Sequence, residues 1–559
     1  MVEADRDQLV ERAERWIADD PDPEARAELR ALLAASEHDE LRARFDGGLS
    51  FGTAGLRGRL GAGPALMNRA TVRATAAGLA RHLLDRVPGA ARAGVVVGHD
   101  ARHGSARFAA EAAAVLSGAG LRTLRLPPLA PTPLLAFAVR ELGCAAGVMI
   151  TASHNPPPDN GVKVYLGDGA QIGPPADEEI AAAIAAVGPL RDVPLGDGGD
   201  AVGDEIAEAY LRAILAALPD VPDRDVRAVY TPLHGVGAPL FLEAFACAGF
   251  PAPEVVGEQA EPDPDFATVR RPNPEEPGTL DLGLAAAARA GADLLLVNDP
   301  DADRLAAAIP APEGWRVLRG DEIGVLLADF RLEHAVAPEQ ALLVTTVASS
   351  TLVPKLAAAA GARSEVTLSG FKWIMRAARP GEVLLLGYEE ALGYAVSDVV
   401  RDKDGISAAL VVAQLAARER RAGRTLGDRL EAIAERFGLH ATDQITIELE
   451  GAAGPERMAR TMAALRADPP STLLGRPVAA VADVAAGVRR LRDGREEPLD
   501  LPRGDVLVVE AERARVVVRP SGTEPKLKAY LEVIDETADR GAAREALARL
   551  RGEIAARLE

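Results

Sequence analysis

The chain has 559 residues, 48% of them hydrophobic but only 4% aromatic, with a mean hydropathy of +0.03. At about 150 residues per domain this predicts roughly three to four domains whose cores rest on Ala, Leu and Val. The 63 Lys and Arg against 83 Asp and Glu leave a net charge of −20, which excludes a general nucleic-acid binder but not a small anionic substrate held by locally gathered basic groups. Cys144 and Cys247 are too few for a disulfide framework or a thiolate zinc site, so a reduced, cytoplasmic protein is expected. The polar start Met1-Val2-Glu3-Ala4-Asp5 lacks a signal-peptide core, and the longest apolar stretch, 341–361, is interrupted by Thr345, Thr346, Ser349, Ser350 and Lys355. It is a poor membrane span, and no membrane partner is expected.

The opening 45 residues read as a charged, helical extension. The glycine-rich run Phe51 to Gly58 lacks the Lys-Ser/Thr ending of a P-loop and follows no clear strand, so nucleotide binding is not supported. From there, strand-like and helix-like segments alternate in the pattern of α/β units. The strands are expected at Val95–Val97, Val148–Ile150, Val226–Tyr230, Leu294–Val297, Leu342–Val344 and Val383–Leu386. Alanine-rich helices are expected at Arg73–Leu84 and Leu280–Ala290. Linkers are expected at Leu195–Asp200, Arg316–Asp321 and Phe437–Asp443. Beyond them, Gln444–Leu449, Val506–Val509 and Val516–Val518 with a terminal helix suggest a smaller α+β domain.

Four segments carry chemistry. Thr151-Ala152-Ser153-His154-Asn155-Pro156 follows an apolar run and is stopped by three prolines, so Ser153 is expected on a turn at the carboxyl end of a strand, where open α/β sheets bind ligands. A plain strand-ending turn fits the same letters. Asn298-Asp299-Pro300-Asp301-Ala302-Asp303-Arg304 places three carboxylates at alternating positions after a strand, suited to a hard cation, with Arg304 suited to phosphate. An EF-hand is excluded because Arg304 and Pro310 stand where its glycine and glutamate are required, and a solvated acidic turn is the plainer reading. Arg519-Pro520-Ser521-Gly522-Thr523 reads as a phosphate cradle or a tight β-turn. Glu389 and Glu390 follow a strand and suit sugar hydroxyls or a charged capping turn. Lys403 lies in Arg401-Asp402-Lys403-Asp404-Gly405, where Asp404 can cap a helix, and Lys372 lies near a glycine turn.

In this order, the segments resemble the α-D-phosphohexomutase superfamily, the phosphoglucomutases and phosphomannomutases, over residues 48–550. The resemblance implies an α/β fold of four domains around a central cleft: three similar mixed-sheet domains and a smaller α+β C-terminal one. The expected boundaries are 1–47 for the extension, then 48–200, 201–318, 319–440 and 441–559. It implies that Ser153 is the phosphorylated residue, and that Asp299, Asp301 and Asp303, with the Ser153 phosphate, hold magnesium. Glu389 and Glu390 match the sugar-recognition loop; Arg519, Ser521, Gly522 and Thr523 match the phosphate-binding loop. Arg57, His154, Lys163, Lys372 and Lys403 match positions that line the cleft, and Lys403, Lys372 and His154 are alternative acid/base groups.

The implied activity interconverts hexose 1- and 6-phosphates, of glucose or mannose, through a phosphoserine and a sugar 1,6-bisphosphate that also serves as activator. The implied enzyme is a monomer or dimer acting on small sugar phosphates. Ala391 and Leu392 depart from the usual Glu-x-Ser-Gly sugar loop and resemble the long-chain phosphoglucomutase-2-like subgroup, which includes phosphopentomutases. A pentose substrate is therefore the alternative; a catalytically silent sugar-phosphate sensor and a phosphatase are the readings from other classes.

Overall fold

The computed structural model describes residues 2–52, 55–449, 454–521 and 526–558. They divide into two compact units, one of residues 1–218, 224–316 and 398–413, the other of residues 219–223, 317–397 and 414–559.

The first unit opens with helices Val2–Asp19, Pro23–Ala35 and His38–Phe45, closed on a small core that includes Leu9, Leu29, Leu41 and Phe45. Its main sheet has six strands in the order Leu56–Arg59, Asp159–Leu166, Ala146–Ile150, Val95–His99, Thr123–Arg125, Asp200–Ala201. The central pairing is parallel and sets His99 opposite Ile150, so the chain leaves both strands at one edge, as Asp100–Arg102 and Thr151–Ser153. Val95, Val96 and Val97 are all buried, as an interior parallel strand requires. Helix Arg69–Arg86 begins at a capping box between Asn68 and Thr71. A second sheet sets Leu294–Asn298 parallel to Ala228–Thr231 and antiparallel to Leu305–Ala311.

Several strands escape the sequence pattern, and two of them border the chemical loops. Asp159–Leu166 and Leu305–Ala311 return antiparallel beside the very strands that precede the serine and aspartate turns. Both follow loops rich in Pro and Asp, which mask the start of a strand in the sequence.

The second unit carries a four-strand sheet ordered Arg363–Thr367, Ala341–Thr346, Val383–Glu389, Gly393–Ala395, with a register shift between Leu342 and Leu343. The expected 341–361 apolar stretch is a buried strand followed by helix Leu352–Ala360; no helix among the described residues is long and apolar enough to cross a membrane. A larger antiparallel sheet is centred on Lys526–Asp535, Ala514–Pro520 and Leu507–Ala511, with helix Arg540–Leu558 packed on it. The linker expected at Phe437–Asp443 is instead the start of strand Leu439–Glu448, which pairs along its whole length from Leu439–Asp535 to Glu448–Lys526. Its first six residues are all half-buried, so the strand lacks the clean apolar alternation that would mark its start in the sequence.

Candidate functional site

The serine turn is built at one end of the first unit's main sheet, where its two central strands finish side by side. Ser153 is buried and holds a positive φ of 51°, a left-handed conformation that a side chain adopts only under constraint. The constraint is Arg102. Its Nη2 donates to the carbonyls of Ser153 and Asn155, both at 2.6 Å, and its Nη1 to those of Pro156 at 2.9 Å and Asp159 at 3.1 Å. The guanidinium is itself held by Asp100, 3.5 Å away, and lies over the Phe266 ring at 4.9 Å. Asp100 in turn accepts from the Arg102 N–H and the Ser105 hydroxyl. Neither Asp100 nor Arg102 is among the sequence candidates. The signal that would have found them is their position, directly after strand Val95–His99, on the same sheet edge as the serine.

The Ser153 hydroxyl donates to Asp299 Oδ2 at 2.8 Å, and its oxygen lies 3.2 Å from His154 Nδ1. Asp299 stands at the end of strand Leu294–Asn298, so the second sheet brings its aspartate loop onto the serine turn. Asp299, Asp301 and Asp303 are fully buried and close enough for one oxygen of each to meet a single ion. The plain reading of this segment as a solvated acidic turn therefore fails. Lys163 Nζ donates to Asp301 Oδ2 at 2.6 Å and to Asp303 Oδ2 at 2.7 Å, and Lys403 Nζ lies 3.3 Å from Asp303 Oδ2. Thr132, which the sequence reading did not single out, donates its hydroxyl to Asp301 Oδ2 at 2.6 Å and its N–H to the Asp301 carbonyl.

Burial, with Asp301 and Asp303 beside it, pushes the Asp299 carboxyl up to about 8. At Asp303 burial acts in the same direction, but Lys163, Lys403 and Arg304 outweigh it and hold the carboxyl well below the usual range. Asp301 Oδ1 and Asp303 Oδ1 are buried with no hydrogen-bond partner. Two orphaned carboxylate oxygens, with a third carboxyl group converging on them, are the donor set of a hard divalent cation, and magnesium fits it.

The remaining first-unit candidates surround this centre. Arg304 Nε lies 4.0 Å from both Asp299 and Asp303, and its N–H donates to Asp299 Oδ1. Arg57 lies on strand Leu56–Arg59 opposite Gly161, which follows closely on the prolines that end the serine turn. Asp404 does cap helix Gly405–Arg421, accepting from the Ile406 and Ser407 N–H groups. That helix start packs against the aspartate loop so closely that a Cβ on Gly405 would sit 2.2 Å from the Arg304 carbonyl oxygen.

The second unit gathers the other candidates by itself. Glu389 Oε1 accepts from the Gly370 N–H at 2.6 Å, which ties the end of strand Val383–Glu389 to the turn before Lys372. Lys372 is buried, with its ammonium 5.0 Å from the centre of the Trp373 ring. Glu390 accepts from Thr346 and Ser349. Arg519 keeps its charge despite burial because Tyr530, Glu390 and Glu389 stand near it. Its Nη1 donates to the Pro520 carbonyl, and the Ser521 N–H donates to the Lys526 carbonyl. Gly522 and Thr523 lie outside the described residues.

Comparison with known proteins matches four consecutive family segments. Residues 48–190, 208–312 and 319–437 match the phosphoglucomutase/phosphomannomutase α/β/α domains I, II and III, and 465–549 the C-terminal domain. The chain is 40% identical over 476 residues to the "Probable phosphomannomutase" of Haemophilus influenzae, covering 83% of this chain and 93% of that one. It is 36% identical over 551 residues to the "Probable phosphoribomutase" of Schizosaccharomyces pombe, covering 94% and 93%. To the phosphoglucomutase of Staphylococcus haemolyticus it is 34% identical over 501 residues, covering 88% and 91%. Among solved structures, a candidate phosphomannomutase from Thermus thermophilus superposes with a TM-score of 0.69 at 25% identity, over 91% of this chain and 99% of that one.

Proposed function

We propose, from the premise that the chain belongs to the phosphoglucomutase/phosphomannomutase family, that it is a phosphosugar mutase interconverting hexose 1-phosphate and hexose 6-phosphate through a phosphorylated Ser153. The observation that carries the reading is the Ser153 hydroxyl 2.8 Å from Asp299, one of three buried, converging aspartates, of which Asp301 and Asp303 each present an orphaned oxygen. In a hydrolytic triad the carboxylate orients the imidazole and the imidazole activates the serine. Here the carboxylate meets the serine oxygen directly, which suits a phosphate carrier beside a cation.

Asp299, Asp301, Asp303 and the Ser153 side chain are the groups that would hold magnesium. When bound, the ion supplies positive charge against the oxygens of the transferring phosphoryl group. The chain's own residues do the rest. Arg102 holds the backbone of the serine turn, and Lys163 holds Asp301 and Asp303 in one orientation. The hydroxyl of a hexose monophosphate attacks the phosphorus, its proton passes to a base, and the bond from phosphorus to Ser153 Oγ breaks. His154 Nδ1, 3.2 Å from Oγ, is placed to protonate the serine as it leaves. The resulting hexose 1,6-bisphosphate reorients and returns its other phosphoryl group to Ser153. Glu389 and Glu390 are assigned to the sugar hydroxyls, and Arg519, Ser521 and Lys372 to the phosphate that does not react. Most of the work is positioning and charge neutralisation, as phosphoryl transfer requires.

The test is a mutase assay with magnesium and a catalytic amount of hexose 1,6-bisphosphate, run with glucose, mannose and ribose phosphates on the native chain and Ser153→Ala. Hexose turnover that vanishes in the variant is the expected result. Undiminished turnover in Ser153→Ala would overturn the phosphoserine, and inorganic phosphate as the main product would assign hydrolysis instead. Faster turnover of the pentose would favour the second reading, which rests on the 36% identity to the phosphoribomutase over 94% of the chain.

A further inference from the structure

The three N-terminal helices precede the first family segment, which begins at residue 48, and they dock firmly on the domain behind them. Asp19 accepts from the Leu190 N–H at 2.7 Å and the Arg191 N–H at 3.2 Å, Arg107 pairs with Asp22 at 2.8 Å, and Arg44 donates to the Ala62 carbonyl at 3.1 Å. Yet the seam is not filled. A cavity of about 530 Å³ remains between helix Val2–Asp19, residues 45–51 with Leu56, helix Arg69–Arg86 and the turn at 184–190. That volume lies in the range of small-molecule sites.

The lining is of two kinds, apolar and charged. Trp16, Phe45, Leu49, Phe51, Ile184 and Val187 line the interior, with Trp16 and Phe45 edge-to-face at 6.3 Å. Arg12, Arg15, Asp19 and Asp20 add charge to the same lining. The two carboxylates are already engaged, Asp19 by the backbone of residues 190 and 191, and Asp20 by the Trp16 Nε1–H at 2.9 Å and the Asp22 N–H at 2.8 Å. Arg12 reaches the Phe45 carbonyl and Asp46. Arg15 is exposed and makes no hydrogen bond or ion pair among the described residues. A largely apolar, aromatic chamber is therefore lined in part by a guanidinium that has no partner among the described residues.

We infer that this cavity is a binding site for a small amphipathic anion, one with an aromatic body for the chamber and a single acidic group for Arg15. The body buries apolar surface against the aromatic walls, and the acidic group pairs with the guanidinium, whose bidentate geometry is open to it. The site is separate from the serine and aspartate loops and does not depend on their chemistry.

The full chain can be titrated with 1-anilinonaphthalene-8-sulfonate, an aromatic body bearing one sulfonate, and with the uncharged N-phenyl-1-naphthylamine. The expected result is saturable fluorescence at one site per chain, with the neutral probe about tenfold weaker. Arg15→Glu, an exposed change that leaves the core alone, should raise the Kd of the anionic probe about tenfold, since it replaces an attraction by a repulsion. Ala74→Phe fills the chamber from helix Arg69–Arg86 and should abolish binding while circular dichroism stays native. Binding of both probes with equal affinity, or an Arg15→Glu Kd within twofold of the native value, would overturn the proposal. So would saturable binding retained by folded Ala74→Phe.

Discussion

Replacing Arg102 by lysine tests whether the serine turn owes its strained geometry to one guanidinium. Arg102 makes four hydrogen bonds to loop carbonyls spanning Ser153 to Asp159, and its side chain is 1% exposed. Lysine keeps the charge that Asp100 needs, but an ammonium is a point donor without a planar fork, and from one position it can satisfy about two of the four carbonyls. A hydrogen bond from a charged donor contributes about 1.5–3 kcal/mol, so the loop should lose about 3–6 kcal/mol of local stability. Ser153 would then leave its left-handed conformation part of the time, and a misplacement of about 1 Å typically costs about 100-fold in rate. The expected outcome is a kcat about 100-fold lower with KM for the hexose phosphate within about threefold, because no substrate contact has been removed. Hydrogen exchange at amides 151–161 should quicken while the central strands stay protected. A kcat within threefold of native, with unchanged exchange in that loop, would refute the argument.

Three further outcomes follow from other parts of the structure. Magnesium at about 100 times its Kd should stabilise the chain by about 2.7 kcal/mol against thermal unfolding, and Asp303→Asn, which keeps the fold's volume but removes a ligand charge, should abolish the shift. Gly405→Ala should destabilise by about 1–3 kcal/mol, although alanine is the better helix former, because its Cβ would press on the Arg304 carbonyl at 2.2 Å; an unchanged melting temperature would contradict that packing. Burial pushes the Asp321 carboxyl up to about 7, so between its ordinary value near 3.8 and about 7 the native state holds a proton that the unfolded chain releases, and stability falls as pH rises through that window. Asp321→Asn still accepts from the Ser350 N–H and the Tyr388 hydroxyl, and should remove up to about 3 kcal/mol of this dependence between pH 5 and pH 8, read as a flatter difference between denaturation midpoints at those two pH values.

Much of the molecule was legible in the residues alone. Val95–Val97, Leu294–Val297 and Leu342–Val344 are strands because unbroken β-branched and aliphatic runs bounded by turn residues have few other outcomes. The prolines after Asn155 end one loop, and the alternation of Asp299, Asp301 and Asp303 marks the other, so the chemical centre could be named before its geometry was known. Local letters misled where a strand began without clean apolar alternation, as at Leu439–Glu448, and where strands began inside loop-like composition, as at Asp159–Leu166.

What chain order could not contain is the convergence. Ser153 and Asp299 stand 146 positions apart and Arg102 reaches back 51 residues to the serine carbonyl, yet each pair is within hydrogen-bond distance. Residue order dictates which groups exist and which ends of which strands they occupy, because hydrophobic period and turn chemistry are local. Packing in three dimensions is what buries Lys163 against Asp301 and Asp303, sets Arg102 against the serine turn, and leaves a chamber lined in part by Arg15 at the N-terminal helices. Burial, field and distance depend on how separate sheets and helices meet, and no window of neighbouring residues holds that information.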